Sequence, residues 1–270
     1  MYTSMINAVS GMRSAQIKMD SIGNNVANTN THGYKGQEIS FGSILADQHR
    51  ATPEAPSKTG RMTPLHLRVG MGAVANLHRY DMQAGAMIQT DVETDLYLQG
   101  NAFFQVQGDQ GETRLTRMGS FQPINHGDGR MVLGTTDGRR VLDSNEEIIE
   151  IPVGYKLSVD SSGKISFISS ADPTNVIDSG KQLSLVKVPN RQALIPLGEH
   201  VYGVPPGVEP VQVGENGEVL VKQGFLEGSN VDLAKEMASL IEVQRQFQLN
   251  SRALTIINEM GQTINNIYGR

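Results

Sequence analysis

The chain has 270 residues, 38% apolar and only 5% aromatic, with no tryptophan and 29 glycines, so any core is thin and turns are frequent. A net charge of −5, with no run of more than two Lys or Arg, excludes the basic patch that a nucleic-acid binder carries. Cysteine is absent, which rules out disulfides, thiolate metal sites and a cysteine nucleophile.

The first residues, Met1-Tyr-Thr-Ser-Met-Ile-Asn7, have neither a basic region nor an apolar one. No apolar stretch reaches the ~20 residues of a spanning helix. Neither a cleaved secretory signal nor membrane insertion is therefore expected. Met5, Ala8, Met12, Ala15, Met19, Ile22 and Val26 are spaced alternately by 3 and 4 residues, a heptad seam on an N-terminal helix. The opposite face carries Asn7, Arg13, Lys18, Asp20 and Asn24. The turn-forming run Asn28-Thr-Asn-Thr-His-Gly33 ends the pattern, with Gly33 suited to a left-handed stop.

A stretch from Ala46 to Gly60 has no apolar period and two prolines, and residues 31–75 read as an extended linker or arm. From residue 76 to 229 the pattern is that of an all-β domain of short antiparallel strands. Expected strands are Leu96–Gln99, Phe103–Gln107, Glu112–Thr116, Met131–Leu133, Glu147–Val153, Lys156–Asp160, Lys164–Ser169, Gln182–Val188 and Glu218–Gln223. The dipeptides Asp128-Gly129, Asp137-Gly138, Ser162-Gly163 and Asn216-Gly217 supply turns between them.

The C-terminal helix opens at Glu227-Gly-Ser-Asn230, where Ser229 or Asn230 can cap and Asp232 stands in the first turn. Its seam runs through Leu233, Met237, Leu240, Val243, Phe247, Asn250, Leu254, Ile257, Gly261, Ile264 and Tyr268. The expected fold is α+β. Residues 1–30 and 230–270 form a discontinuous coiled-coil domain for assembly, and the β-domain lies between them in sequence.

The two seams have two readings: an intramolecular hairpin, or an interface between subunits. The N-terminal seam is weak as an isolated pair. Burying a Met or Ile is worth roughly 1.5–3 kcal/mol, but immobilising Met costs up to ~2 kcal/mol. Gly11 and Gly23 each cost about 1 kcal/mol relative to Ala. Packing among several neighbours shifts that balance toward assembly. The amides Asn24, Asn25, Asn28, Asn30 and Asn250 are then candidates for fixing the stagger between subunits. On that hypothesis Asn25→Leu or Asn250→Leu leaves the monomer folded, and for Asn28 and Asn30 local capping is the competing role.

Several motifs match a known family in order along the chain. Gly23-Asn-Asn-Val-Ala-Asn-Thr-Asn-Thr-His-Gly-Tyr-Lys35 resembles the N-terminal signature of flagellar basal-body rod and hook proteins. Thr94-Asp-Leu-Tyr-Leu-Gln-Gly-Asn-Ala-Phe-Phe-Gln-Val106 and Leu115-Thr-Arg-Met-Gly-Ser-Phe121 resemble its central segments. Leu226-Glu-Gly-Ser-Asn-Val-Asp-Leu233 and Gln244-Arg-Gln-Phe-Gln-Leu-Asn-Ser251 resemble the opening and continuation of its C-terminal helix. Tyr97, Ala102 and Met118 depart from the family pattern, so the β-domain surface transfers less directly than the helices.

The resemblance, closest to the distal-rod type, implies an extracytoplasmic subunit of the basal body that stacks helically into a hollow torque-transmitting shaft. Its partners would be copies of itself, other rod and hook proteins, and the flagellar export apparatus. The 45–65 stretch would brace neighbouring subunits.

Catalytic chemistry finds no foothold, and no cofactor or small-molecule substrate is implied. His32, His49, His66, His78, His126 and His200 include no pair at a metal-binding helical spacing. Glu146-Glu147 reads as a solvated strand edge rather than an acid/base pair, and Gly70-Met-Gly72 lacks a dinucleotide motif's third glycine. Asn125-His-Gly-Asp-Gly129 reads as a hairpin turn rather than a calcium loop, and no Gly-x-Ser-x-Gly elbow occurs. The competing reading from a different class is a β-domain that binds glycan or peptidoglycan, with the helices folded as a hairpin. A wall-cleaving enzyme would need a carboxylate pair that the sequence does not offer.

Overall fold

The computed structural model describes residues 2–43, 47–48, 68–69, 72–108, 111–125, 130–169, 176–198, 200–213 and 219–268. The stretch 46–60, Gly70-Met71, the turns at 126–129 and Asn216-Gly217, His49, His66 and the Tyr268 side chain fall largely or wholly outside that description. The chain divides into two units. A helical unit contains residues 1–27, 37–79 and 232–270, and a β unit contains residues 28–36 and 80–231.

In the helical unit, α1 spans Tyr2–Ala27 and α2 spans Leu233–Tyr268. The cap of α2 is Asp232, not Ser229 or Asn230: its Oδ1 accepts from Ala234 N at 2.9 Å and Lys235 N at 3.3 Å. The helices run antiparallel. Asn25 Nδ2 donates to Glu236 Oε1 at 2.9 Å, and a Cβ added at Gly11 would stand 2.8 Å from Asn250 Nδ2. Ala15, Ile22 and Val243 are buried together, with Met19, Val26, Leu240 and Phe247 packed around them.

The other side of α1 is a polar docking row that the seam analysis did not single out. Ser10 Oγ accepts from Ala73 N at 3.3 Å, Ser14 Oγ donates to Ala73 O at 3.1 Å, and Ser21 Oγ donates to Gln37 O at 3.4 Å. Within the span expected as an extended arm, Gln37–Ser43 pairs with Ala73–Tyr80, and Asp47–Gln48 pairs with Arg68–Val69. Short serines suit such docking because their hydroxyls reach strand-edge backbone groups without holding the strand away. Lys18 lies over the Phe41 ring at 5.0 Å.

The β unit is built from antiparallel pairs. Phe103–Gln107 is central: it pairs with Thr113–Thr116, with Arg140–Val141 and with Leu185–Lys187. Its alternation divides the core, because adjacent side chains on a strand face opposite ways. Phe104 and Val106 join Leu96, Leu98, Phe121, Leu133, Ile149 and Ile165 on one side, whereas Phe103 joins Leu115, Val186 and Tyr202 on the other. Phe104 and Phe121 meet edge to face at 5.0 Å.

The expected Leu96–Gln99, Phe103–Gln107 and Lys164–Ser169 appear with those bounds. Glu147–Val153 shrinks to Glu150–Ile151, because Glu146 adopts φ 62° in a turn. Asp143 Oδ1 holds that turn by accepting from Asn145 N and Glu147 N. Strands at Phe121–Asn125, Val176–Gln182, Ile195–Gly198 and Val201–Gly203 were not expected. Pro123, Gly180 and Pro196-Leu-Gly198 read locally as breakers.

Candidate assembly surface and a buried charge hub

The residues singled out as an assembly interface separate into three groups. Ala8, Ala15, Ile22, Asn25 and Val243 are buried within this single chain. Met12, Met19, Val26, Leu240, Phe247, Asn250, Leu254 and Ile257 are half-buried. Met5, Asn24, Leu233, Met237 and Ile264 are exposed, and the Tyr268 side chain is outside the description. The middle of the seam is therefore occupied by the α1–α2 pair itself.

Asn25 makes its hydrogen bonds inside the chain. Besides Glu236, it donates to Gln37 O at 2.9 Å, and its Oδ1 accepts from Gln37 N at 2.8 Å. The amide thus ties α1 to both α2 and the strand Gln37–Ser43, so an Asn25→Leu monomer is not expected to fold intact. The substitution removes the bonds to the half-buried Gln37 backbone and to Glu236, leaving Gln37 O the longer bond from Ser21 Oγ, and should cost about 2 kcal/mol, at roughly 0.5–1.5 kcal/mol for each bond lost. Denaturant unfolding of the purified variant measures the loss, and wild-type stability would refute this role.

A second apolar stripe runs along α2. Ile241, Leu249, Ile256, Met260 and Ile267 are 53–68% exposed and recur at steps of 8, 7, 4 and 7 residues. These steps keep them on one side of a 3.6-residue helix, away from Val243 and Phe247. On α1 the exposed large apolar residues Tyr2, Met5, Ile6 and Val9 are confined to the first turns. The antiparallel register brings those turns about level with Glu259, so both helices carry outward apolar surface at that end of the pair.

The β unit holds a charge cluster that the sequence reading missed. Glu227 accepts from Lys35 Nζ at 2.7 Å and from Arg117 Nε at 2.5 Å, with all three side chains at most 5% exposed. Further bonds to the backbone surround the three side chains. Lys35 Nζ reaches Gln83 O at 2.5 Å, Arg117 Nη2 reaches Leu98 O at 2.9 Å, Arg117 Nη1 reaches Ala102 O, and Gly85 N donates to Glu227 Oε1 at 2.9 Å. Burial by itself would raise the Glu227 pKa, but Arg117 and Lys35 outweigh it and hold the carboxyl below its usual range. Burial lowers the Lys35 pKa, and Arg117 adds to that, because one carboxylate is shared between two cations.

Close by, Gly36 N donates to Asn230 Oδ1 at 2.8 Å, Asn230 Nδ2 donates to Asp81 O at 2.7 Å, and Asp81 N donates to Gly36 O at 2.8 Å. These bonds close a ring through three separate parts of the chain. Lys35, Arg117 and Glu227 each lie in a different one of the motifs quoted above. Opposite charges embedded in separate apolar-and-glycine motifs were the available signal.

Among the described residues, no helix is long and apolar enough to cross a membrane, and no three His, Asp or Glu side chains converge on a metal-sized site. A shallow groove of about 350 Å³ is lined by Asp91, Glu93, Lys156, Leu157 and Gln223, with no aromatic ring among its described lining residues on which a sugar could stack.

Three family models match in chain order: "Flagella basal body rod protein" over residues 5–35, "Flagellar hook protein FlgE/F/G D1 domain" over 97–167, and "Flagellar basal body rod FlgEFG protein C-terminal" over 222–267. Each hub residue lies in or beside one of these segments. The flagellar basal-body rod protein FlgG of Bacillus subtilis is 32% identical over 99% of both chains. FlgG of Agrobacterium fabrum is 31% identical over 95% of this chain and 96% of its own. The flagellar hook-basal body complex protein FlhP of B. subtilis is 29% identical over 99% of this chain and 100% of its own. With both terminal helices and the central strands matched along nearly its whole length, this chain belongs to the flagellar basal-body rod protein family.

Proposed function

We propose that the protein is a structural subunit of the flagellar rod, of the distal-rod type, that polymerises helically into a hollow, torque-transmitting shaft. In this reading α1 and α2 form a discontinuous coiled-coil domain. Neighbouring subunits are held chiefly through its outward face, while the inner seam of Ala15, Ile22 and Val243 keeps the pair itself together. Partners are further copies, other rod and hook proteins, and the export apparatus that delivers the chain outside the cytoplasm.

The observation that carries this reading is the exposed stripe of Ile241, Leu249, Ile256, Met260 and Ile267 on a helix whose opposite face already has a partner. Scattered exposed apolar residues are ordinary, but apolar residues that recur along one side of a helix, here interspersed with Glu242 and Arg245, mark an interaction surface. The alternative of a glycan-binding module accounts for an intramolecular helix pair but not for this second face.

The test is the double substitution Leu249→Lys and Ile256→Lys. Both positions are exposed, so monomer stability should change by no more than about 0.5 kcal/mol per site. Cells carrying the variant should be non-motile, and electron microscopy should find basal bodies that end short of a complete rod. Normal motility with complete rods would reject the outward stripe as the assembly surface.

A further inference from the structure

Glu227 carries the carboxylate at the centre of a cluster whose two cations come from far earlier in the chain, 192 and 110 residues away. Lys35 and Arg117 are both almost fully withdrawn from water. A buried cation left without its partner is far more costly than an exposed one, because the low-dielectric interior replaces none of its hydration.

The carboxylate also accepts from Gly85 N at its Oε1, and the main chain at the same place is paired independently, Gly33 N to Glu227 O and Gly228 N to Ala86 O, each at 2.7 Å. Asp81, the other acidic group that acts on Lys35, contributes less than Glu227 does.

We propose that Glu227 is a folding gate for the β unit: Lys35 and Arg117 are buried only once this carboxylate arrives. The unit thus waits for the C-terminal part of its own chain. A chain that emerges N-terminus first, from the ribosome or from a secretion channel, presents Lys35 and Arg117 long before Glu227 follows. Until then the two cations keep their water, and the segments around Gly33–Lys35, Leu98–Ala102 and Arg117 stay open. For passage through a secretion channel the consequence rests on the function proposed above. The gate itself does not, and the following tests address it on purified full-length protein, whatever assembly shows.

Glu227→Ala leaves a carboxylate-sized space beside two cations. Thermolysin should cleave the β unit of this variant roughly tenfold faster than wild type, or more. Sodium formate should restore resistance, whereas sodium chloride of equal ionic strength should not. The apolar variant Lys35→Met/Arg117→Leu/Glu227→Leu leaves no charge to be compensated but does leave the Leu98 and Ala102 carbonyls without the guanidinium, so with no added anion it should resist cleavage better than Glu227→Ala and less well than wild type. Wild-type resistance in Glu227→Ala would overturn the gate. Failure of both formate and the apolar variant to restore resistance would overturn it as well, by assigning the loss to packing rather than charge. In cell-free synthesis of the wild-type chain, protection of the β unit should appear only with chains that include Glu227. A protected β unit in shorter chains would overturn the order of events.

Discussion

Arg117→Leu should destabilise the β unit by about 3–5 kcal/mol, the range for removing one partner of a buried ion pair. For a unit of this size that corresponds to a fall in melting temperature of roughly 10 °C. The guanidinium does three things at once: it donates to Glu227 Oε2, to Leu98 O and to Ala102 O. Leucine fills part of the volume but leaves two buried carbonyls unpaired and the carboxylate short of a donor. Lys35→Met should cost clearly less. Burial already works against the Lys35 charge, so removing it releases a desolvation penalty along with the hydrogen bonds. Thermal unfolding of the two variants side by side is the check. Equal losses, or a larger loss for Lys35→Met, would contradict this account of the hub.

Acid should open the same cluster. The folded pKa of Glu227 is lowered, so its contribution is fully present above the unfolded value of about 4.3. That contribution is lost as pH falls below this value and through the lower folded one, because the unfolded chain then binds the proton first. Lys35 acts with the opposite consequence at the other end of the scale. Its folded pKa is also lowered, so as pH rises toward the unfolded value of about 10.4 the folded state sheds its proton first. Considered alone, Lys35 then adds stability rather than removing it. Denaturant unfolding between pH 7 and acid should therefore show a steeper decline for wild type than for the apolar triple variant. The difference is up to about 1.4 kcal/mol per pH unit while one extra proton is bound. Parallel declines would mean that other carboxylates govern acid unfolding.

Rod formation places further demands on these two units. A subunit that shares a load with its neighbours needs helices that hold both their own partner and the next subunit. Under the proposed function, α2 meets that need with Val243 and Phe247 on one side and Leu249, Ile256 and Met260 on another.

How much of this was legible in the sequence depended on the range of the interaction involved. The helices, their period and their residues are local properties, set by 3.6-residue recurrence and the turn chemistry of Asn28–Gly33. Leu96–Gln99 and Phe103–Gln107 were equally readable, because a run of apolar and aromatic residues between glycines and turns reports a buried strand without help from its partners. Strands such as Val176–Gln182 and Ile195–Gly198 carry glycine or proline, which read locally as breakers, and only pairing with the adjacent strands Lys164–Ser169 and Val201–Gly203 holds them extended.

The sequence by itself determined that two long amphipathic helices flank a β-rich middle, and its ordered motifs pointed to the family. Only the tertiary structure decided which helix face is spent within the chain and which stays exposed. Periodicity records that Ile22 and Ile256 are apolar but not what lies opposite each of them. The same holds for Lys35, Arg117 and Glu227, three ordinary surface residues by composition. Burial of their charges depends on a meeting across 192 residues of chain, where low dielectric and shared hydrogen bonds turn separate polar side chains into one cooperative element.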